Sequence, residues 1–424
     1  MSLDIAGALM SVKPLDLSCV PDGFLRDYVN LYEPLTEAHP QLHLAAALIA
    51  VSTVLGKKVY MPFGASAIHP NLFILGLGES GMARKSTTLN PVVKMLYRFD
   101  ESLIMGDVMS HEAFFKSLRE NPNKFGCWHE FRSLIENAEK NYGKGLIAEL
   151  TKLYDCPPFI KVNLLNVKKN ENPIIKDPYV AVICLTTIDW FKVSQADISG
   201  GFLGRFLPIA SPPGKSRSIS VPPPVDEGLE NVLFNLLSDI SKLEGRISLA
   251  TDALELVKGL YAESEEEFKT IKNRDIYSSF WSRLQTNLLK LSIVLSLTKS
   301  SPSFVIQADT ILKANHIMSH AKESYKFMME NANLTPEMAK ERKVMRIIEE
   351  AGKAGIRHSD ALKRSHETAK PFEYIIKSLI EKEEVEQHQL ASKTKTATFY
   401  VLKKFAKGCE VSGEESPAEG ARHE

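Results

Sequence analysis

The chain lacks a net charge of either sign: 52 Lys and Arg residues balance 52 Asp and Glu over 424 residues. No global field therefore drives it onto nucleic acid or a membrane, and any basic surface must be local. Its five cysteines, Cys19, Cys127, Cys156, Cys184 and Cys409, never fall in a CxxC spacing, which argues against a zinc module and for free thiols in a reducing compartment. The first residues do not follow the basic-then-apolar order of a secretory leader. Long hydrophobic runs are also missing. The longest, "LAAALIAVSTVL" from Leu44 to Leu55, is too short to span a bilayer and reads as a buried helix. No Ser or Cys sits in a nucleophile elbow, and His316 and His320 lack the third ligand and glutamate of a metalloprotease motif, so they read as ordinary helix-face histidines. These absences lead us to expect a soluble cytoplasmic protein with no membrane segment and with length enough for two or three domains.

The stretch "NLFILGLGESGMARKSTTL", Asn71 to Leu89, almost spells the phosphate-loop pattern of Gly, four residues, Gly, Lys and then Ser or Thr. Counting back from Lys85, the glycines belong at 84 and 79, which hold Arg84 and Glu79. The chemistry is less strict than the letters, because phosphates are held by backbone N–H groups at the start of a helix and by one lysine. Leu72 to Leu75 has strand character, Gly76, Gly78 and Gly81 permit a tight turn, and "KSTTLNPVVKMLYRF" reads as an amphipathic helix. We expect a loop one residue longer than usual, with Gly78, Ser80, Gly81, Arg84, Lys85, Ser86 and Thr87 around a nucleotide. Lys85 then contacts the β and γ phosphates of ATP, and Ser86 holds Mg²⁺. The alternative is a glycine-rich turn with no ligand.

A loop that binds ATP needs a carboxylate at the end of a second strand to activate water. "KFGCWHEF" supplies Glu130 after the apolar run Phe125 to Trp128, although His129 occupies the place where a metal-holding Asp is usual. A third strand, "YVAVICLTT", ends in Thr186 and Thr187, of which Thr187 is the candidate for the γ-phosphate or the attacking water. "SGGFLGRFLPI" sets Arg205 between apolar residues after paired glycines. In ring-shaped ATPases such an arginine reaches into the neighbouring subunit's site; a structural ion pair is its competing role. Arg283 is a further candidate phosphate sensor.

Along the chain, residues 1–65 read as a helical N-terminal region and 66–228 as the core, where strand and helix signals alternate as in a parallel sheet. The core closes with the Pro- and Ser-rich "SPPGKSRSISVPPPVDEG", a linker or surface excursion. Residues 229–332 read as an all-helical lid, including the buried "RLQTNLLKLSIVLSL". Residues 338–404 show three helices followed by two strands around a basic turn, a winged helix-turn-helix pattern. Within it Thr368, Lys370, Lys377, Lys393 and Lys395 would touch DNA, chiefly its phosphates. Glu381, Glu383 and Glu384 leave open that the module docks protein instead. The tail, 405–424, is polar and acidic, and is expected to be disordered.

The order of "PDGFLRDYV", "LHLAAALIAVSTVLGKKVY", "PNLFILGLGESGMARKST", "CWHEF", "GGFLGRFLPI" and "SRLQTNLLKLSIVLSL" resembles the P-loop ATPase family of prophages, plasmids and other mobile elements, often found beside or fused to primase domains. The likeness spans roughly residues 20 to 330. It implies an α/β, RecA-like or AAA-like P-loop core that assembles as a homo-oligomeric, hexameric ring and works as a helicase in DNA replication. It also implies ATP and Mg²⁺ as ligands, with single-stranded or forked DNA and a primase or initiator as partners. By the resemblance Lys85 and Ser86 serve phosphate and magnesium, Glu130 activates water and Arg205 acts in trans. The rival readings are an ATP-dependent DNA-binding regulator that does not translocate and a defence-system ATPase acting on a partner protein.

Overall fold

The structure is a computed structural model, and it describes residues 13–107, 109–140, 143, 145–161, 174–187, 191, 201–272, 274–331, 336–365, 367–391 and 396–406. The chain divides into two compact units, Met1–Ala332 and Asn333–Glu424. Among the described residues no helix is long and apolar enough to cross a membrane.

The first unit is mixed α/β. Its strands are β1 (Val59–Phe63), β2 (Ser66–Ile68), β3 (Phe73–Leu77), β4 (Asn123–Trp128), β5 (Phe159–Lys161), β6 (Ile174–Lys176), β7 (Tyr179–Thr186), β8 (Leu207–Ala210), β9 (Gly245–Arg246), β10 (Ser248–Leu249) and β11 (Val305–Ile306). The central sheet has the order β4-β7-β3-β8, and all of its pairings are parallel. A parallel bridge from Ile104 to Phe125 extends it beyond β4. "FILGL" and "YVAVICLT" are buried along their whole length, as strands covered on both faces must be. The Pro40–Leu55 helix lies on the face that Gly76 shares with Leu42, and Pro40 at its first position costs no hydrogen bond. The other face carries Phe73 against Tyr154 and Phe206, with Phe131 packed edge-on to Phe206 at 5.5 Å.

The segment after residue 228 is less uniformly helical than its pattern suggests. Three two-residue strands interrupt it, β9 pairing with β1 and β10 with β11. Two-residue pairings leave almost no periodic signal, because alternation needs several residues to show. The Leu284–Leu297 helix is buried nearly all round and carries Lys290 inward. The Lys290 ammonium donates to Asn71 Oδ1 at 2.6 Å, to Asn71 O at 3.1 Å and to Tyr154 O at 3.0 Å. It also lies 3.7 Å from the centre of the Tyr154 ring. All three of its protons therefore have acceptors, which is what allows an ammonium into the core.

The second unit packs the helices Pro336–Glu350, His358–Ser365 and Ala369–Glu381 against three antiparallel strands, β12 (Ile356–Arg357), β13 (Val385–Ala391) and β14 (Thr396–Leu402), ordered β12-β14-β13. Phe372, Ile375, Ile376 and Leu379 face its core as their spacing predicts, and Ile380 packs at its margin. The short β12 is an addition to the two strands expected. Lys393 and Lys395 lie outside the described residues. So do residues 407–424, while Lys403–Ala406 form a short helix.

Candidate functional site

The chain runs from β3 to β4 two positions away, returns to β7 between them, then crosses to β8 on the far side of β3. This makes the carboxyl end of β3 a topological switch point, where parallel sheets open a crevice. Four segments meet there. Gly78 N donates to Thr186 O at 3.3 Å and Ser211 N to Leu77 O at 2.8 Å, while Glu130 follows the end of β4 by two residues.

The loop from Gly78 to Lys85 is closely built. A Cβ on Gly78 would stand 2.6 Å from Ser211 Oγ and 2.8 Å from Ala83 Cβ, so no larger residue fits. Gly81 turns the chain at φ 68°. Arg84 also adopts a left-handed conformation, φ 47° and ψ 30°, at the position where the motif formula has glycine. A non-glycine residue pays about 1–2 kcal/mol for this geometry. The Arg84 guanidinium offsets part of that by donating through Nε to Glu37 Oε2 at 3.0 Å. Ser80, Ser86 and Thr87 are exposed, and Thr87 donates its hydroxyl to Arg84 O at 2.6 Å.

Lys85 does not open an α-helix, contrary to the expectation from the sequence. Lys85–Thr88 form a 3₁₀ turn and the α-helix begins at Leu89. Pro91 is the reason: in a helix starting at Lys85 its ring would strike the carbonyl of Thr87, whereas from Leu89 it falls in the tolerant first turn. The Lys85 ammonium donates to Gly78 O at 3.1 Å and Glu79 O at 3.2 Å. Burial pushes its pKa down, against the pull of the Glu130 and Glu79 carboxylates. Partial desolvation pushes Glu130 up, opposed by Lys85 and His129. The fold thus brings Lys85 and Glu130 into electrostatic reach of each other.

Among the described residues, Thr187 Oγ1 and Ser211 Oγ are buried with no hydrogen-bond partner. Sequence reasoning named Thr187 and missed Ser211, whose signal was a polar residue directly after the apolar "FLPIA". Unpaired buried hydroxyls are uncommon, and two at one crevice suit a polar ligand.

Arg205 stands elsewhere. It precedes β8 and so lies at the amino edge of the sheet, opposite the loop. Its guanidinium is not presented to solvent as a projecting arm: the residue is 7 % exposed, donating to Gly201 O at 2.8 Å and pairing with Asp155 at 3.2 Å. Arg283, half-buried, donates to Ser279 O at 3.3 Å, and burial, together with the nearby Arg205 charge, pushes its pKa down. In the second unit Thr368 caps the Ala369–Glu381 helix by position, and Lys370 and Lys377 are exposed on that helix, Lys377 at 3.9 Å from Glu381. Tyr374, 76 % exposed, falls on the helix between them.

Among the described residues no three His, Cys, Asp or Glu side chains gather as a metal site. No protein-family model matches the chain, and no curated protein is significantly similar to it.

Proposed function

We propose that this protein is a P-loop ATPase of the mobile-element replication type, a cytoplasmic DNA helicase or replication initiator that works as a hexameric ring. The observation that carries the reading is the meeting, at one switch point, of a glycine-pinched loop ending in Lys85, the Glu130 carboxylate and two unpartnered hydroxyls. The crevice suits a triphosphate because its lysine is held only by carbonyls, which phosphate oxygens would replace. Lys85 would exchange those carbonyls for the β and γ phosphates, and Glu130 would take the proton of the attacking water. The raised pKa of Glu130 makes its carboxylate a better base. Thr187 and Ser211 would orient that water or a phosphate oxygen.

Ser86 is an exposed hydroxyl at the right position to hold Mg²⁺, which supplies charge neutralisation when bound with the phosphates. Arg205 would serve a neighbouring subunit's site only after leaving Asp155, so its trans role requires a rearrangement on assembly. Three helices with a three-stranded antiparallel sheet support a winged helix in the second unit. Thr368, Lys370 and Lys377 would give it salt-dependent contacts to DNA phosphates. His129 favours a second reading, a nucleotide-dependent DNA-binding switch, because a histidine in the place of Asp weakens metal handling.

The test is ATP turnover by wild type and Glu130→Gln, each with and without single-stranded DNA. Turnover stimulated by DNA and lost in the variant is the expected result. Tight ATP binding without turnover would transfer the conclusion to the switch. An absence of nucleotide binding would remove both.

A further inference from the structure

The mouth of this crevice carries charges that the phosphate-loop motif does not include, and their role rests on the crevice being a nucleotide site. Residues 211–219 leave the carboxyl end of β8 and run back across the loop. Gly214 N donates to Glu79 Oε2 at 2.8 Å, and Ser216 N donates to Glu37 O at 2.9 Å. The segment read as a linker is therefore fastened to the loop at its start.

The Glu37 side chain is the centre of the fastening. It accepts from Lys215 Nζ at 2.7 Å and from Ile219 N at 3.1 Å on one oxygen, and from Arg84 Nε at 3.0 Å on the other. Those contacts, the Lys215 hydrogen bond foremost, hold its carboxyl down at about 2, so it is an anion at any physiological pH. One carboxylate thus neutralises two cations, one from the loop and one from the crossing segment. Both side chains are partly open to solvent, Arg84 on the loop being 50 % and Lys215 on the crossing segment 29 % exposed. Lys85, the next residue after Arg84, is held on backbone carbonyls. The mouth therefore holds three cations whose acceptors are groups of this chain. Guanidinium and ammonium groups that already share one anionic oxygen pair are suited to sharing another, since phosphate offers the same forked acceptors with more charge.

The backbone N–H ring of such a loop grips the inner phosphates, so side chains standing at its mouth reach the outermost one. We propose that Arg84 and Lys215 are phosphate-contacting residues that select a nucleoside triphosphate over a diphosphate, with Glu37 as the counter-anion that the terminal phosphate replaces.

The experiment is equilibrium binding of ADP and of the β,γ-imido analogue of ATP to the full chain, comparing wild type with Lys215→Ala, Lys215→Arg, Glu37→Gln and Lys85→Ala. Lys215→Ala should weaken the triphosphate about tenfold or more and leave ADP within about twofold, as expected for loss of one charge-assisted contact. Lys215→Arg should recover most of that loss. Glu37→Gln should strengthen triphosphate binding several-fold by removing the competing anion. If Glu37→Gln weakens both nucleotides, Glu37 is a structural pin and the proposal is wrong. If Lys215→Ala affects both equally or neither, triphosphate selection is wrong. Should Lys215→Ala fail to fold, the direction of the Glu37→Gln effect decides alone. A wild type that binds neither nucleotide overturns the underlying site as well, whereas loss of binding in Lys85→Ala with no selective effect at Lys215 overturns only this inference.

Discussion

The two edges of the central sheet hold their buried lysines, Lys290 and Lys85, in different ways. At the amino edge Asn71 Nδ2 donates to Tyr154 O at 2.9 Å, Lys290 fills its three acceptors, and Tyr154 donates its hydroxyl to Asn287 Oδ1. At the carboxyl edge Thr187 and Ser211 keep unpartnered hydroxyls, Arg84 sits in a left-handed conformation, and Lys85 rests on two carbonyls. An unsatisfied buried polar group costs about 1–3 kcal/mol. Such costs are tolerated where a ligand will supply the missing partners, and strain gathers there for the same reason. Unpartnered atoms occur at the amino edge too, on Arg205 Nε, Asn123 Oδ1 and Asn287 Nδ2, so the strained Arg84 turn and the carbonyl-held Lys85 are what set the carboxyl edge apart as the candidate site.

Two lysines break or sharpen this contrast most strongly. Lys85→Ala should reduce ATP binding about a hundredfold or more at a stability cost of about 1–3 kcal/mol, because it frees two carbonyls, one of them buried. Lys290→Met should act on stability alone. It strips the Lys290 donor from Asn71 Oδ1 and Asn71 O inside the core, while Tyr154 O keeps Asn71 Nδ2, and should cost about 2–6 kcal/mol in denaturant unfolding, with nucleotide affinity of the folded protein intact. If Lys85→Ala unfolds the chain, or Lys290→Met leaves its stability unaltered, the division between site and scaffold does not hold.

Histidines at both edges give a smaller effect with a defined sign. Burial holds His43 neutral down to about 3, and His69 and His320 down to about 4. In the unfolded chain each takes up a proton near pH 6.5. Between about pH 6.5 and about pH 4 the unfolded state thus binds protons that the folded state refuses, and stability falls as pH falls through that window. Above about pH 7 these groups contribute no slope. Thermal melting followed from about pH 7.5 to about pH 5 should show the decline, and His43→Gln should make it shallower. An unchanged slope in that variant would mean that His43 takes its proton in the folded state too.

Much of the scaffold is legible in the sequence because continuous apolar runs and turn glycines report burial directly. The β3 and β7 runs, the Ala-rich helix from Pro40 to Leu55 and the apolar face of Ala369–Glu381 all stand within a few residues of their expected places. The site is legible only as residue types along the chain. Nothing local tells that Glu37, 48 positions before Lys85, meets Arg84 and Lys215, since a surface glutamate before a proline-led helix carries no periodic signal. Nor does a single arginine between apolar residues reveal whether it projects or, like Arg205, folds onto a carboxylate such as Asp155. Pro91 was readable and its consequence is local: a proline seven residues into an expected helix moves the helix start, which is what separates Lys85–Thr88 from Leu89–Phe99.

The smallest effect concerns the backbone at Arg84, where the motif's letters and the fold can be set against each other. Arg84→Gly removes a left-handed strain of about 1–2 kcal/mol. It also loosens the unfolded chain by about 0.4–1 kcal/mol and deletes a half-exposed ion pair to Glu37 that is worth at most about 1 kcal/mol. These terms nearly cancel, so the glycine variant should unfold within about 1 kcal/mol of wild type. Arg84→Ala loses the same ion pair and keeps the strain. It should therefore be the less stable of the two by about 1 kcal/mol in urea unfolding. Equal stabilities would show that the loop leaves the left-handed region once the Glu37 contact is gone. In that case the arginine imposes the turn through its side chain, and the carboxyl edge is shaped by Glu37 rather than by the chain's local conformational preference.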